Sequence, residues 1–166
     1  PLILLLSSLS GVSNDKISNN SLDYENRLKI VKLKTLVGKR YLYSTIKQDL
    51  IIINFWASWC IPCIKELPSL IKLRKMYKKD KLIIFGINAD FKDKHKNIQI
   101  IKNKFGINFF IVPDDNHKIF NLFRVSGLPI TLIFYKGKLL EIIKGPKDFM
   151  SIIFLKKITK LFTKKN

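Results

Sequence analysis

The two cysteines of this chain lie close enough together to act as one redox pair. Cys60 and Cys63 are the only cysteines in the sequence, and two residues separate them. A thiolate is the nucleophile in disulfide exchange, and a second thiol nearby can release the mixed disulfide that the first one forms. The spacing therefore predicts thiol–disulfide exchange.

The patterns on either side of the pair predict how it is positioned. Residues 50–55 form a continuous apolar run, typical of a strand buried on both faces, and residues 62–77 have helical spacing. The first turn of a helix has unpaired N–H groups and about half a positive charge, which stabilises a thiolate. Pro62 suits this turn, because its missing N–H is not needed there. We therefore assign Cys60, nearest the helix start, as the attacking thiol and Cys63, one turn deeper, as the resolving thiol.

Two other uses of the cysteine pair fit the sequence less well. A zinc finger needs two histidines about three to five residues apart, but the only histidines, His95 and His117, are 22 residues apart. A purely structural disulfide between Cys60 and Cys63 would close too small a loop to restrict the unfolded chain much. We therefore predict a catalytic disulfide with no metal and no organic cofactor.

The rest of the chain alternates strand and helix patterns, which predicts an α/β fold with a central mixed sheet flanked by helices. The strand–helix–strand order around the cysteines predicts a right-handed parallel crossover. Further strands are expected at residues 29–33 and 39–43 around Gly38, at 82–87, at 109–112, and at 130–135 and 139–143 around residues 136–137. Further helices are expected at residues 91–104, ended by Gly106, and at a short stretch from an Asn116 cap to Phe123. A final amphipathic helix is expected after an Asp148 cap, led by Phe149, Ile152, Ile153 and Leu155.

The N-terminal residues have a composition unlike the rest of the chain. Residues 1–12 are apolar and then small, and they are too short to span a bilayer, which needs about 20 apolar residues. We interpret them as a truncated signal peptide or membrane anchor, residues 13–26 as a polar linker rich in Ser and Asn, and residues 27–166 as the folded domain. This arrangement predicts an extracytoplasmic protein, in the periplasm or at the outer face of the inner membrane.

The charge of the chain is strongly positive, with a net value of +19. The sequence holds 27 Lys but 4 Arg, and 26 Ile but 2 Ala, so a bias towards AT-rich codons explains much of the excess lysine. A selected basic surface facing nucleic acid or an anionic membrane is the alternative. We predict no nucleic-acid partner, because no basic strand with interleaved aromatic residues is present.

Two segments resemble a known family. Residues 54–68, Asn-Phe-Trp-Ala-Ser-Trp-Cys-Ile-Pro-Cys-Ile-Lys-Glu-Leu-Pro, and residues 127–129, Gly-Leu-Pro, are similar to the TlpA/ResA-like branch of the thioredoxin family. Its members are membrane-anchored or secreted thiol–disulfide oxidoreductases of bacteria. The likeness covers about residues 29–160. It implies a thioredoxin fold with extra N-terminal strands and a central strand–helix insertion, here between residues 89 and 125.

The resemblance also implies roles for individual residues. Pro129 is expected to be cis and to pack beside the cysteines, and Leu128 to offer backbone groups to an incoming peptide. Cytoplasmic thioredoxins usually carry a buried Asp at the place of Asn54. An Asn at this place is typical of the extracytoplasmic branch. Glu66 occupies the place of a family glutamate that could take the proton of Cys63, with a pKa raised by partial burial. The alternative for Glu66 is an exposed first-turn residue favoured by the helix dipole.

Side chains next to the cysteines are expected to contact the substrate. These expected substrate-binding residues are Trp59, Ile61, Pro62 and Leu128. Trp56 is either part of this surface or part of the core, because large aromatic side chains are mostly buried.

The predicted function is disulfide exchange with protein substrates. By analogy with the family, we expect the protein to reduce these substrates, for example during cytochrome c maturation. Expected partners are protein thiols and disulfides, including apocytochrome c and a membrane electron donor, and a monomer is expected. Two alternatives stay open at this point. One is an oxidase that donates disulfides, and the other is a non-catalytic thioredoxin-fold module that its charge docks on a membrane.

Overall fold

A five-stranded mixed sheet forms the centre of the protein. The computed structural model describes residues 12–163, with side chains from residue 20 onward. The strand order is β5-β4-β3-β6-β7, in which β3, β4 and β5 are parallel and β6 and β7 are antiparallel to their neighbours. These strands are β3 (Leu50–Trp56), β4 (Leu82–Asn88), β5 (Phe110–Pro113), β6 (Ile130–Tyr135) and β7 (Lys138–Lys144). Every residue of β3 and β4 is buried, as their largely apolar runs predicted.

Helices cover both faces of the sheet. They are α1 (Val12–Ile30), α2 (Ile61–Met76), α3 (Lys94–Phe105), α4 (Lys118–Leu122) and α5 (Ile152–Thr163). Asn54 of β3 faces α2, whereas its neighbour Phe55 packs its ring on Phe120 of α4, because successive strand residues point to opposite faces. Helix α5 lies beside α2, where Tyr77 contacts Phe162. The predicted thioredoxin-type architecture is confirmed.

The N-terminal region differs from the expected linker. Residues 13–26 lie within α1 rather than in an extended linker, and the helix continues through Ile30. The strand expected at residues 29–33 therefore shrinks to β1 (Leu33–Lys34), which pairs with β2 (Arg40–Tyr41) around a left-handed Gly38. Tertiary contacts explain the difference, since the buried carboxylate of Glu25 accepts a hydrogen bond from the Leu139 amide of β7. The division into leader, linker and domain stays a prediction, and the leader lies outside the described residues apart from Val12.

The start of α4 also differs from the sequence expectation. Asn116 does not cap the helix, because its backbone has a left-handed φ of 57°. The carboxylate of Asp114 accepts hydrogen bonds from the amides of Ile119 and Phe120 instead, at 2.9 to 3.1 Å. A carboxylate has four acceptor positions, and it can satisfy two amides of the first turn where one Asn oxygen would serve fewer.

The last helix begins later than predicted. Asp148 closes a turn by accepting a hydrogen bond from the Met150 amide at 2.8 Å, and α5 starts only at Ile152. Phe149 is buried in the core as expected, but Ile152 and Ile153 are 69% and 79% exposed. The prediction that Ile152 and Ile153 belong to the apolar side of the last helix was therefore wrong. No helix within residues 12–163 combines the length and apolar character that crossing a bilayer requires.

Candidate redox site

Cys60 and Cys63 form a disulfide at the start of α2. Cys60 is the residue that caps the helix, and its Sγ accepts a hydrogen bond from the Cys63 amide at 3.3 Å. This sulfur therefore sits where unpaired helix amides concentrate positive charge. Cys60 is 5% exposed and Cys63 is fully buried. Cys60 is thus the sulfur nearer to solvent, and Ile61 and Pro62 form the first helical positions after it.

The loop between β3 and Cys60 is held by the neighbouring strand. The Ser58 amide donates to Oδ1 of Asp90 at 2.9 Å, and the Ala89 amide donates to the carbonyl of Trp56 at 2.9 Å. Asp90 is 1% exposed, and its Oδ2 has no hydrogen-bond partner among the described residues. Sequence reasoning missed Asp90, although its place at the carboxyl end of a buried strand next to β3 was a usable signal.

Glu66 lies one turn below Cys63 on the same face of α2. It is 4% exposed, its Oε1 accepts a hydrogen bond from Nδ2 of Asn54 at 2.7 Å, and its Oε2 accepts one from the Lys147 amide at 3.1 Å. Burial raises the pKa of Glu66 to about 7 and outweighs these two hydrogen bonds, which lower it. An exposed first-turn glutamate, the alternative from sequence, does not fit this burial.

Asn54 links Glu66 to the opposite strand. The same amide nitrogen that donates to Glu66 also donates to Oγ1 of Thr131 at 2.9 Å, and all three side chains are buried. Oδ1 of Asn54 has no partner within the described part of the chain. Sequence reasoning missed Thr131, although a hydroxyl in the otherwise apolar run of residues 130–134 could have signalled it.

Pro129 lies at the same end of the sheet as the cysteine loop. The register of β3 and β6 pairs Phe55 with Ile130, so Pro129 is adjacent to the point where β3 leads into that loop. The Leu128–Pro129 peptide bond is cis, as the resemblance implies. Pro129 is buried and Leu128 is half-buried. The sheet therefore brings the cysteine motif and the Gly-Leu-Pro motif, which are distant in sequence, to the same end of its strands.

Three large apolar side chains are exposed at this end of the sheet, and we call them the apolar rim. They are Trp59, Ile61 and Phe91, which are 65%, 68% and 79% exposed. Phe91 follows β4 directly after Asp90 and packs against the ring of His117, with centroids 4.2 Å apart. Trp56, in contrast, is fully buried and belongs to the core.

The position of His117 holds Phe91 in place. The Nε2 of His117 lies 3.1 Å from the carbonyl oxygen of Ala89, and its backbone adopts a left-handed φ of 53°. His95 lines the same surface cavity of about 450 Å³ as His117. Among the side chains of residues 20–163, no group of three or more His, Cys, Asp or Glu is arranged to hold a metal ion.

The buried carboxyl of Glu66 should make the stability of the fold depend on pH. Its folded pKa of about 7 exceeds the ordinary value of 4.5, so the folded protein keeps a proton that the unfolded chain releases. This stability is complete below pH 4.5 and is lost as pH rises through 7, by about 3 kcal/mol in total. Urea unfolding of the oxidised protein at about pH 5 and pH 8 measures the loss.

The control for this prediction is Glu66→Gln. The Gln variant should be less stable than the parent at pH 5, because an amide NH₂ placed at Oε2 cannot accept the hydrogen bond of the Lys147 amide. At pH 8 the variant avoids burying a carboxylate charge, so the difference in stability between the two pH values should shrink. A variant that loses as much stability with rising pH as the parent would contradict the assignment.

Comparison with known proteins places these features in a family context. The family model described as the AhpC/TSA family matches residues 25–142. The chain is 31% identical over 114 residues to the thiol-disulfide oxidoreductase ResA of Geobacillus thermodenitrificans, covering 68% of this chain and 64% of that protein. It is 30% identical over 123 residues to the ResA of Bacillus subtilis, covering 70% and 68%. The chain thus spans slightly less than two thirds of the first of these relatives.

Solved structures of low sequence identity share the fold. StoA from Bacillus subtilis has a TM-score of 0.64 and 23% identity, covering 78% of this chain and 95% of that one. A secreted disulfide oxidoreductase of Mycobacterium tuberculosis, homologous to E. coli DsbE, has a TM-score of 0.67 and 21% identity, covering 81% and 97%.

Proposed function

This chain belongs to the AhpC/TSA family of thioredoxin-like proteins, and we propose that it exchanges disulfides with protein substrates through Cys60 and Cys63. The observation that carries the proposal is the disulfide at the start of α2, with one sulfur at the helix cap and the other one turn deeper. The apolar rim beside Cys60 supports a polypeptide substrate, because exposed aromatic side chains are enriched at binding surfaces. Its curated relatives named above are thiol-disulfide oxidoreductases.

The exchange conserves electrons and protons in two steps. The Cys60 thiolate of the reduced protein attacks a substrate disulfide, an S–S bond forms between protein and substrate, and one substrate sulfur leaves and takes up a proton. Cys63 then loses its proton and attacks Sγ of Cys60, which releases the second substrate sulfur. Two electrons pass to the substrate, and the protein is left with the disulfide that the structure shows. An external dithiol donor must reduce it again.

Glu66 is the base that we propose for the second step. It lies on the same face of α2 as Cys63, and its pKa of about 7 lets the carboxylate accept a proton near neutral pH. Asn54 and the Lys147 amide hold the carboxyl in place through its two oxygens. They act as positioning groups, since neither exchanges a proton with the sulfur.

The substrate and location in this proposal follow the family. The protein acts outside the cytoplasm as a monomeric reductant of protein disulfides, with apocytochrome c as one substrate and a membrane electron donor as its source of electrons. Support comes from the resemblance of residues 54–68 to the TlpA/ResA-like branch, and one protein of the same fold is described as secreted. Leu128 and the cis Pro129 are the proposed backbone contact for the substrate chain.

The reduction potential of the Cys60–Cys63 pair tests the proposed direction. Equilibration with glutathione or dithiothreitol mixtures, followed by counting free thiols, gives this potential. We expect a value near that of reductants, about −270 mV, whereas about −120 mV is typical of a strong oxidant. A value at the oxidising end would assign the protein to disulfide donation instead.

Phe91 should contribute to substrate binding without taking part in the chemistry. We expect Phe91→Ala to raise the KM for a protein disulfide about five- to tenfold with little change in kcat, because one large contact is lost at the rim. Steady-state kinetics with a protein substrate measures the effect, and a small aromatic disulfide serves as a substrate that does not reach the rim. Ile100→Ala, which removes a 52% exposed side chain on α3, is the matched control. A loss with the small disulfide as large as with the protein would contradict a binding role.

A further inference from the structure

The outward face of α5 combines exposed apolar side chains with lysines. Two isoleucines lie in the first turn, and three lysines follow on the same side of the helix. At 3.6 residues per turn, the five positions fall within an arc of about 140°. We call this the α5 surface, and it consists of Ile152, Ile153, Lys156, Lys157 and Lys160, all of them exposed.

The core-facing side of α5 is distinct from this surface. Phe154 and Ile158 are 2% and 0% exposed, and they point away from the five outward residues. Helix α5 is thus anchored by its inner side, and the exposure of Ile152 and Ile153 is not a sign of a detached helix. Two large apolar side chains are thus exposed to water on a helix that buries Phe154 and Ile158.

The positive charge of this region is largely uncompensated. Within the described residues, Lys157 has an ion-pair partner, Glu141 at 2.8 Å, whereas no carboxylate lies within 4 Å of the ammonium groups of Lys156 and Lys160. Asp148 is the last acidic residue of the sequence, and five lysines follow it. The C-terminal region therefore attracts anions more strongly than a mixed surface with equal numbers of both charges.

More lysines lie at the N-terminal end of α5. A cavity of about 420 Å³ next to Met150 is lined by Lys65, Lys72 and Lys147. Two carboxyls, of Asp148 and of the buried Glu66, also line it. These three lysines add positive charge near the start of the helix.

We propose that the α5 surface docks on an anionic lipid bilayer. Isoleucine side chains enter the boundary between headgroups and acyl chains, and the lysines contact acidic headgroups, which is the pattern of helices that lie on membranes. A folded acidic protein is the less favoured partner. Stable protein interfaces bury about 800 Å² on each side with close shape complementarity. Two isoleucines on a convex helix offer little area and little shape complementarity. A fluid bilayer, in contrast, requires no matching shape.

The second half of α5 lies far from the redox site. The second half of α5 contacts Tyr77, which directly follows α2, through Phe162 and through Oγ1 of Thr159. Cys60 lies at the other end of α2, about 24 Å from Tyr77 along the 16-residue helix. The start of α5 lies nearer to the cysteines, since the Phe149 amide donates to Oγ of Ser69 in the middle of α2. Lipid docking by the α5 surface requires no step of the proposed exchange chemistry.

Vesicle sedimentation of the full chain tests the proposal. The vesicles contain phosphatidylcholine alone or with about 30% phosphatidylglycerol. We expect binding to the anionic vesicles alone, with a steep decrease between low and physiological salt. The double variants Ile152→Ser/Ile153→Ser and Lys156→Gln/Lys160→Gln should each weaken binding at least about tenfold. Both change exposed positions, and a circular dichroism spectrum verifies their fold.

A charge-matched variant separates the α5 surface from the general positive charge. Lys96→Gln/Lys104→Gln removes two exposed lysines from α3, and binding should change less than about twofold. Equal losses in the α3 and α5 lysine variants would overturn the proposal. Equal binding to neutral vesicles, or binding that both α5 variants leave unchanged, would also overturn it and would point to the apolar residues 1–6. Binding to soluble polyglutamate without vesicle binding would assign the surface to an acidic polypeptide instead.

Discussion

Replacing Cys60 by serine should lower the rate of protein-disulfide reduction at least about 10³-fold. A serine hydroxyl is not ionised at neutral pH and cannot form the mixed disulfide, so the first step is lost entirely. Because the chain has no other cysteine than Cys63, a rescued reaction could come only from that buried sulfur. The decrease in turnover with a dithiol donor and a protein disulfide measures the effect.

Cys63→Ser is the matched control for this prediction. Its Cys60 can still attack, but the mixed disulfide should persist, so that close to one substrate molecule is captured per protein chain. Non-reducing electrophoresis and mass spectrometry detect the adduct, and added dithiothreitol releases it. Capture by Cys60→Ser with equal yield would reverse the assignment of attacking and resolving thiols.

The second large effect is expected from Glu66→Gln. Without a base below Cys63, resolution of the mixed disulfide should slow about 10²- to 10⁴-fold, while the initial attack by Cys60 stays nearly unchanged. In the parent protein the resolving rate should rise with pH around a midpoint of about 7, because the carboxylate form of Glu66 accepts the proton. Stopped-flow measurement of both steps across pH separates them.

Glu141→Gln controls for the loss of a carboxyl elsewhere. Glu141 lies on β7 and pairs with Lys157 of α5, so its neutralisation should leave both rates and their pH profile intact. A Glu66→Gln protein that keeps the midpoint near 7, or that slows both steps equally, would remove Glu66 from the proposed role.

The central sheet could be predicted because its strands are determined locally. Each of the two buried strands, Leu50–Trp56 and Leu82–Asn88, has an apolar run with no charged residue, and this pattern indicates a strand covered on both faces. Helix α1 could not be predicted in this way. Its polar composition resembles a linker, and its folding depends on contacts such as that of Glu25 with Lys138, 113 positions further along the chain.

The site was predictable where its residues are neighbours in sequence. The cysteine pair and Glu66 lie within seven positions of one helix start, and the Gly-Leu-Pro segment followed from a family resemblance. Phe91 and His117 were missed because only the parallel register of β3 and β4 brings the loop after Asn88 beside the cysteine loop. Such a neighbourhood is a property of the sheet and is invisible in local patterns.

The exposure of Ile152 and Ile153 shows how a small shift in a helix start redirects its faces. Sequence periodicity places both residues with Phe149 on one apolar side if the helix begins after Asp148. In the structure, the turn at Asp148 delays the helix to Ile152, and Phe154 and Ile158 become the inner residues. The helix that follows this turn therefore faces the core with Phe154 and Ile158 and solvent with Ile152 and Ile153.

The reactivity of the two thiols in the reduced protein tests the account most directly. Iodoacetamide labelling over a range of pH, followed by peptide mass spectrometry, reports each cysteine separately. We predict that Cys60 is alkylated first, with its half-maximal rate at a pH well below the value of about 8.5 for a free thiol, and that Cys63 reacts only after unfolding. Labelling of Cys63 as fast as Cys60, or a Cys60 that reacts only at the pH of a free thiol, would contradict the account.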